Sequence, residues 1–210
     1  MKGDTLLFGN CNATVSGTAN RGKVEVWKRP NPLSGNIVRL CELTPSDPAA
    51  TFFGSQVSLS ATTILVTRII DYTSGSFSAA RYGVDAFVNP SAACTNAQAL
   101  TAPEAFFSQI ISTDQAISGD RLAIAVNPVG AFPLSSASRM EIYERAAGIW
   151  SRVQSLPGPA YAGNASIISA APYMYAPILD NERLAIGVQV PIGTSIDTSA
   201  ELWQYERNVG

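Results

Sequence analysis

Val24-Glu25-Val26-Trp27 is the stretch that decides the fold, because it returns three times along the chain. The later copies are Val84-Asp85-Ala86-Phe87, Met140-Glu141-Ile142-Tyr143 and Ala200-Glu201-Leu202-Trp203, at offsets of 60, 56 and 60 residues. Each reads apolar, acidic, apolar, aromatic. Period-two alternation is the mark of a half-buried strand, with the acid on the face opposite its apolar neighbours. A second pattern keeps the same beat: Asp4-Thr5-Leu6-Leu7-Phe8-Gly9, Thr62-Thr63-Ile64-Leu65-Val66, Asp120-Arg121-Leu122-Ala123-Ile124 and Glu182-Arg183-Leu184-Ala185-Ile186-Gly187. Its markers Leu6, Ile64, Leu122 and Leu184 lie 58, 58 and 62 residues apart.

Two further elements fall between these. One ends in Leu and then Pro, over 40–45, 98–103 and 150–157. The other opens on an aromatic pair, Phe52-Phe53 and Phe106-Phe107, with a third copy lacking that pair expected over Ala165–Ala171. Gly, Pro, Asn and Ser clusters separate all of them, so the segments read as strands. The stretch 102–115 has some helical propensity, but its place in the repeat predicts a strand. Four short strands per repeat predict an all-β chain, a β-propeller of four-stranded antiparallel blades. One domain over 1–210 is expected, with repeat units near 1–50, 51–104, 105–160 and 161–210. The strands fall in groups of three, four, four and three, about 3.5 blades. Loops after the second strands, 10–22, 69–83, 128–139 and 189–199, are long enough to carry function.

Composition narrows the functional classes. Of the 210 residues 46% are apolar and only 14% charged, which excludes a disordered linker and argues against a helical bundle. With 14 basic and 16 acidic residues there is no basic surplus, so no nucleic-acid partner is expected. The chain has no histidine, which removes His-based triads and the usual zinc sites. No apolar run approaches the ~20 residues of a membrane helix. Leu6-Leu7-Phe8 after Lys2 is too short for a signal-peptide core.

The run Phe52-Phe53-Gly54-Ser55-Gln56-Val57-Ser58-Leu59 resembles the opening strand of an FG-GAP repeat, the repeat of integrin α-subunit propellers and of many secreted microbial proteins. Gly119-Asp120-Arg121-Leu122-Ala123-Ile124-Ala125 resembles its second strand. Residues 140–145 and 150–156 resemble its third and fourth. The family's Gly-Ala-Pro motif appears nowhere. Its calcium loop would lie at 60–62, 115–120 and 177–182. Calcium needs six to eight oxygen ligands, and these stretches offer Asp120, then Asp180, Asn181 and Glu182. No metal site and no cofactor is assigned.

The recurring acids Glu25, Asp85, Glu141 and Glu201 are read as polar positions on a blade face or as cross-strand partners of Arg or Lys. A catalytic carboxylate pair would need a fixed separation of about 5 to 9.5 Å, which no local spacing establishes. Trp27, Phe87, Tyr143 and Trp203 are read as packing between blades, with a sugar-stacking platform as the alternative. The three cysteines are an odd number. Up-and-down strand order puts Cys11 and Cys41 on one rim, which admits a Cys11–Cys41 bridge. Cys94 falls on the other rim and is left unpaired. Asn12 and Asn164 head glycosylation sequons.

Together these features predict a non-enzymatic extracellular or cell-surface module for adhesion, ligand binding or scaffolding. Its partner would be a protein, a glycan or other copies of itself. A structural subunit joined through open blade edges is the second reading. An enzyme acting on polysaccharide is the third and the least supported.

Overall fold

Segments rich in Val, Ile, Leu and Thr suit a pleated, half-buried surface, and here they form strands. The computed structural model describes residues 4–30, 35–70, 81–88, 94, 96–101, 109–130, 138–158, 173–180, 183–191 and 198–206. Among these there is no helix, and fourteen strands form four antiparallel sheets. Sheet one holds β1 (Thr5–Asn10), β2 (Lys23–Lys28) and β3 (Val38–Leu43). Sheet two holds β4 (Val57–Leu59), β5 (Thr63–Ile70), β6 (Arg81–Val88) and β7 (Asn96–Thr101). Sheet three holds β8 (Gln109–Ser118), β9 (Arg121–Gly130), β10 (Arg139–Ala146) and β11 (Ile149–Pro157). Sheet four holds β12 (Tyr173–Asp180), β13 (Arg183–Pro191) and β14 (Thr198–Glu206). In every sheet the spatial order is the chain order. The three-four-four-three grouping expected from the repeat is the one present.

The repeat reaches below the strand level. Wherever a third strand pairs with a fourth, the register shifts just before the aromatic residue: between Val26 and Trp27, Ala86 and Phe87, and Ile142 and Tyr143. Such a bulge bends the strand and raises its twist.

The chain divides into two compact units, each containing two sheets. The first comprises Met1–Tyr72 and Tyr82–Thr101, the second Thr73–Arg81 and Ala102–Gly210. In the first, Val24, Val26 and Leu43 of sheet one share a core cluster with Ile64, Val66 and Phe87 of sheet two and with Phe53. In the second, Ala123, Ala125, Met140 and Ile142 of sheet three share one with Leu179, Leu184 and Ile186 of sheet four. The two junctions use equivalent positions. In each, the apolar face flanking the acid packs against the acid–aromatic face of the following sheet.

The aromatic pair before β4 forms a turn, not a strand. Phe52 and Gly54 have φ of 50° and 89°, and Phe53 makes a parallel bridge to Gly22. Only glycine fits at position 22: φ is +79°, and a Cβ there would lie 2.2 Å from the Phe53 carbonyl oxygen. The analogous pair Phe106-Phe107 and the stretch 165–171 lie outside the described residues. The first strand of sheet four is instead Tyr173–Asp180. Proline within a run argues against a strand, and Pro177 concealed this one. The register shift between Tyr175 and Ile178 accommodates it.

The cysteine reading needs correction. Cys41 is bonded to Cys94, with 5.8 Å between Cα atoms, and Cys11 is a free, partly buried thiol. Cys41 lies level with Val26 and Leu7 in the ladder, four residues short of Cys11 along the strand direction. At ~3.3 Å per residue that is about 13 Å, beyond the reach of a disulfide. Cys94 reaches Cys41 because both pack on the cluster between sheets one and two. The bridge joins two successive repeats rather than the strands of one.

Candidate functional site

Position by position, the repeated acid is built into an ion-pair system, and its surroundings differ from sheet to sheet. In sheet three Glu141 is fully buried. It accepts a 2.6 Å hydrogen bond from Arg139 Nε, two residues earlier on β10, and bonds of 3.2 and 3.3 Å from Arg152 on β11. Tyr143 lies beside it on the same face and is 6% exposed. Burial, reinforced by the Glu141 charge, pushes the Tyr143 phenol up to about 12.

In sheet two Asp85 is 1% exposed. Its Oδ1 lies 3.3 Å from Arg68 Nε on the neighbouring β5. Ser46, just past the end of β3, donates its backbone N–H to Asp85 Oδ2 at 3.1 Å and its hydroxyl to Oδ1 at 3.0 Å. The acid of the second repeat is thus held by the chain leaving the first. Burial raises the Asp85 pKa above its ordinary value, against the lowering by Arg68 and Ser46.

Sheet one presents the same face to solvent. Glu25 accepts from Lys23 at 2.9 Å and from the Trp27 indole N–H at 3.2 Å. Lys23 also donates to Glu42 at 3.0 Å, and Arg39 bridges Glu42 to Glu25. The Lys23 hydrogen bond holds the Glu25 pKa below the usual range. The same bond, with that to Glu42, raises Lys23. Phe8 packs edge-on to Trp27 at 6.3 Å and is 50% exposed.

The expected Arg/Lys partnering of the acid therefore holds for Glu25, Asp85 and Glu141, each within its own set of cations. The side chains of Glu201 and Trp203, and residue Asn164, lie outside the described residues. Among the aromatics, Phe87 is buried edge-on to Phe53 at 6.0 Å, Tyr143 is buried, and Trp27 is half-buried. Asn12 is exposed, in a loop pinned by the Val15–Thr18 bridge and by hydrogen bonds from Phe52 and Phe53 to Asn20 and Arg21. A hollow of about 200 Å³ on sheet four is lined by Ile178, Asp180, Arg183, Leu184, Ala185, Gln204 and Tyr205. The charged quartet of sheet one was not anticipated from sequence. Its signal was the alternation Lys23-Glu25-Trp27, and its partners Arg39 and Glu42 became visible only through the strand register.

Among the described residues no group of three or more His, Cys, Asp or Glu is placed to hold a metal ion. No helix there is long and apolar enough to cross a membrane. No known family profile matches the chain, and no curated protein does either.

Proposed function

We propose that this chain is a non-enzymatic binding or scaffolding module of the extracellular or cell-surface kind, built as an FG-GAP-like β-propeller segment. The observation that carries the reading is the twofold use of one junction, the apolar face of one sheet on the acid–aromatic face of the next. Stacking of successive up-and-down sheets is how propellers are assembled. Glu141 and Asp85 are occupied in buried ion pairs, which supports a structural over a catalytic role. The binding element in this reading is the exposed loop between β1 and β2, presented by a rigid scaffold. Its tip, 16–20, is solvent-exposed while its base is hydrogen-bonded.

The test is a glycan array and a surface-protein array probed with the native chain and with a variant carrying Gly-Ser repeats at 16–19. Binding that the variant loses by at least about tenfold, with unchanged circular dichroism, is the expected result. No ligand on either array, or binding indifferent to the loop, would overturn the assignment.

A further inference from the structure

We propose that the exposed face of sheet one is a platform for a neutral oligosaccharide, stacked on Phe8 and hydrogen-bonded by Arg39 and Glu42. The strand register sets out that face. Residues directly opposite in an antiparallel pair share one side of the sheet. Trp27 stands between Leu6 and Arg39, and Glu25 between Phe8 and Glu42. The face is therefore divided lengthwise. Along β1 it is apolar, with Leu6 and Phe8. Along β3 it is charged, with Arg39 and Glu42. All of these residues lie in the first compact unit.

A sugar ring has the same two-sided chemistry. Its C–H face packs on aromatic carbon, and each hydroxyl both donates and accepts. Phe8 is 50% exposed and packs edge-on to Trp27 at 6.3 Å. Trp27 is fixed in turn by its indole N–H, which donates to Glu25 at 3.2 Å. On the charged side Arg39 meets Glu25 and Glu42 through Nη2, so among the described residues its Nε and Nη1 remain as donors. Lys23 and Arg39 both meet Glu42 at Oε2, so Oε1 remains as an acceptor. These groups are held by one another before a ligand arrives, which lowers the ordering cost of binding. Phe87 and Tyr143 offer no such platform, because both are buried.

Charge and area select the occupant. Lys23 and Arg39 offset Glu25 and Glu42, so the face has no net charge to draw an acidic glycan or a charged peptide. Three strands of six residues present roughly 300 Å² from strand spacing and rise. A stable protein interface needs roughly 800 Å² per partner, whereas a few sugar rings are covered by the smaller area. The proposal rests on the reading of the chain as a binding module and adds a site separate from the β1–β2 loop.

The experiment is isothermal titration calorimetry of the 210-residue chain with cellohexaose, xylohexaose and mannohexaose, and with hexagalacturonate as the acidic comparison. Phe8→Tyr keeps the ring, Phe8→Leu keeps only apolar bulk, and Arg39→Ala removes the donors. Val153→Ala alters an exposed residue of sheet three. Circular dichroism confirms folding of each. The expected result is binding of at least one neutral hexasaccharide and none of hexagalacturonate. Phe8→Leu and Arg39→Ala should each raise the dissociation constant at least about tenfold. Phe8→Tyr, Val153→Ala and the variant with Gly-Ser repeats at 16–19 should bind as the native chain does. No neutral hexasaccharide bound, equal binding of hexagalacturonate, or native binding by Phe8→Leu or Arg39→Ala would each overturn the proposal. The ligand of the loop is sought on the arrays with the Phe8→Leu chain, whose sheet-one face no longer binds, so the two readings fail separately.

Discussion

Replacing Cys94 by Ser removes the covalent tie between the first two repeats, and its cost follows from the loop it closes. The bridge spans 53 residues. In the chain-entropy treatment, closing a loop of that length lowers the entropy of the unfolded chain enough to stabilise the fold by about 4 kcal/mol at 25 °C. The Cys41 thiol that remains packs against the apolar cluster of Val24, Val26, Phe53 and Phe87, so loss of the cross-link outweighs any change in packing. For a chain of this size 1 kcal/mol moves the melting temperature by about 2–4 °C, which gives a drop of about 8–16 °C. The assay is differential scanning calorimetry without reductant, on native chain and on Cys94→Ser, Cys41→Ser and Cys11→Ser variants, with thiols counted under denaturing conditions. The native chain should show one free thiol. Cys94→Ser and Cys41→Ser should melt alike, and Cys11→Ser should melt as the native chain does. A large drop for Cys11→Ser with none for Cys94→Ser would refute the pairing.

Three further outcomes follow from the acid positions. Glu141→Ala leaves Arg139 and Arg152 without their shared carboxylate and should cost about 3 kcal/mol in urea unfolding, the low end for breaking a buried ion pair, since Arg152 is 44% exposed and reaches water. Because burial raises the Asp85 pKa above 3.8, Asp85 favours folding most below that value. That contribution is lost as the pH rises through the folded pKa. Asp85→Asn should flatten the stability profile across that range, and an unchanged profile would contradict it. Tyr143 should ionise near pH 12, well above the ordinary phenol value of 10.0, in an absorbance titration. Its contribution to stability is present below pH 10 and lost between there and pH 12, so Tyr143→Phe should remove the late step.

The strands were legible because their signal is local. Val24-Glu25-Val26-Trp27 and its copies carry the period of two in four residues, and the offsets alone give the grouping into four sheets. What sequence concealed was set by register and by contacts between sheets. The bond between Cys41 and Cys94 depends on sheet one packing against sheet two, which reasoning within one blade misses. Tyr173–Asp180 was hidden by Pro177, whose cost a register shift removes. The burial of Glu141 and Asp85, against the exposure of Glu25, is equally invisible in a motif that reads the same in all three places. Between Asp85 and Glu25 the difference is that sheet one lies against the face that carries Asp85.

The junction that both units share is the central claim, and methyl-selective nuclear Overhauser spectroscopy on the intact chain observes it directly. Cross-sheet contacts are predicted between Val24 or Val26 and Ile64, Val66 or Phe87 in the first unit. The equivalent contacts in the second unit run between Met140 or Ile142 and Leu184 or Ile186. Contacts in one unit without the other, or neither set in a folded chain, would contradict it.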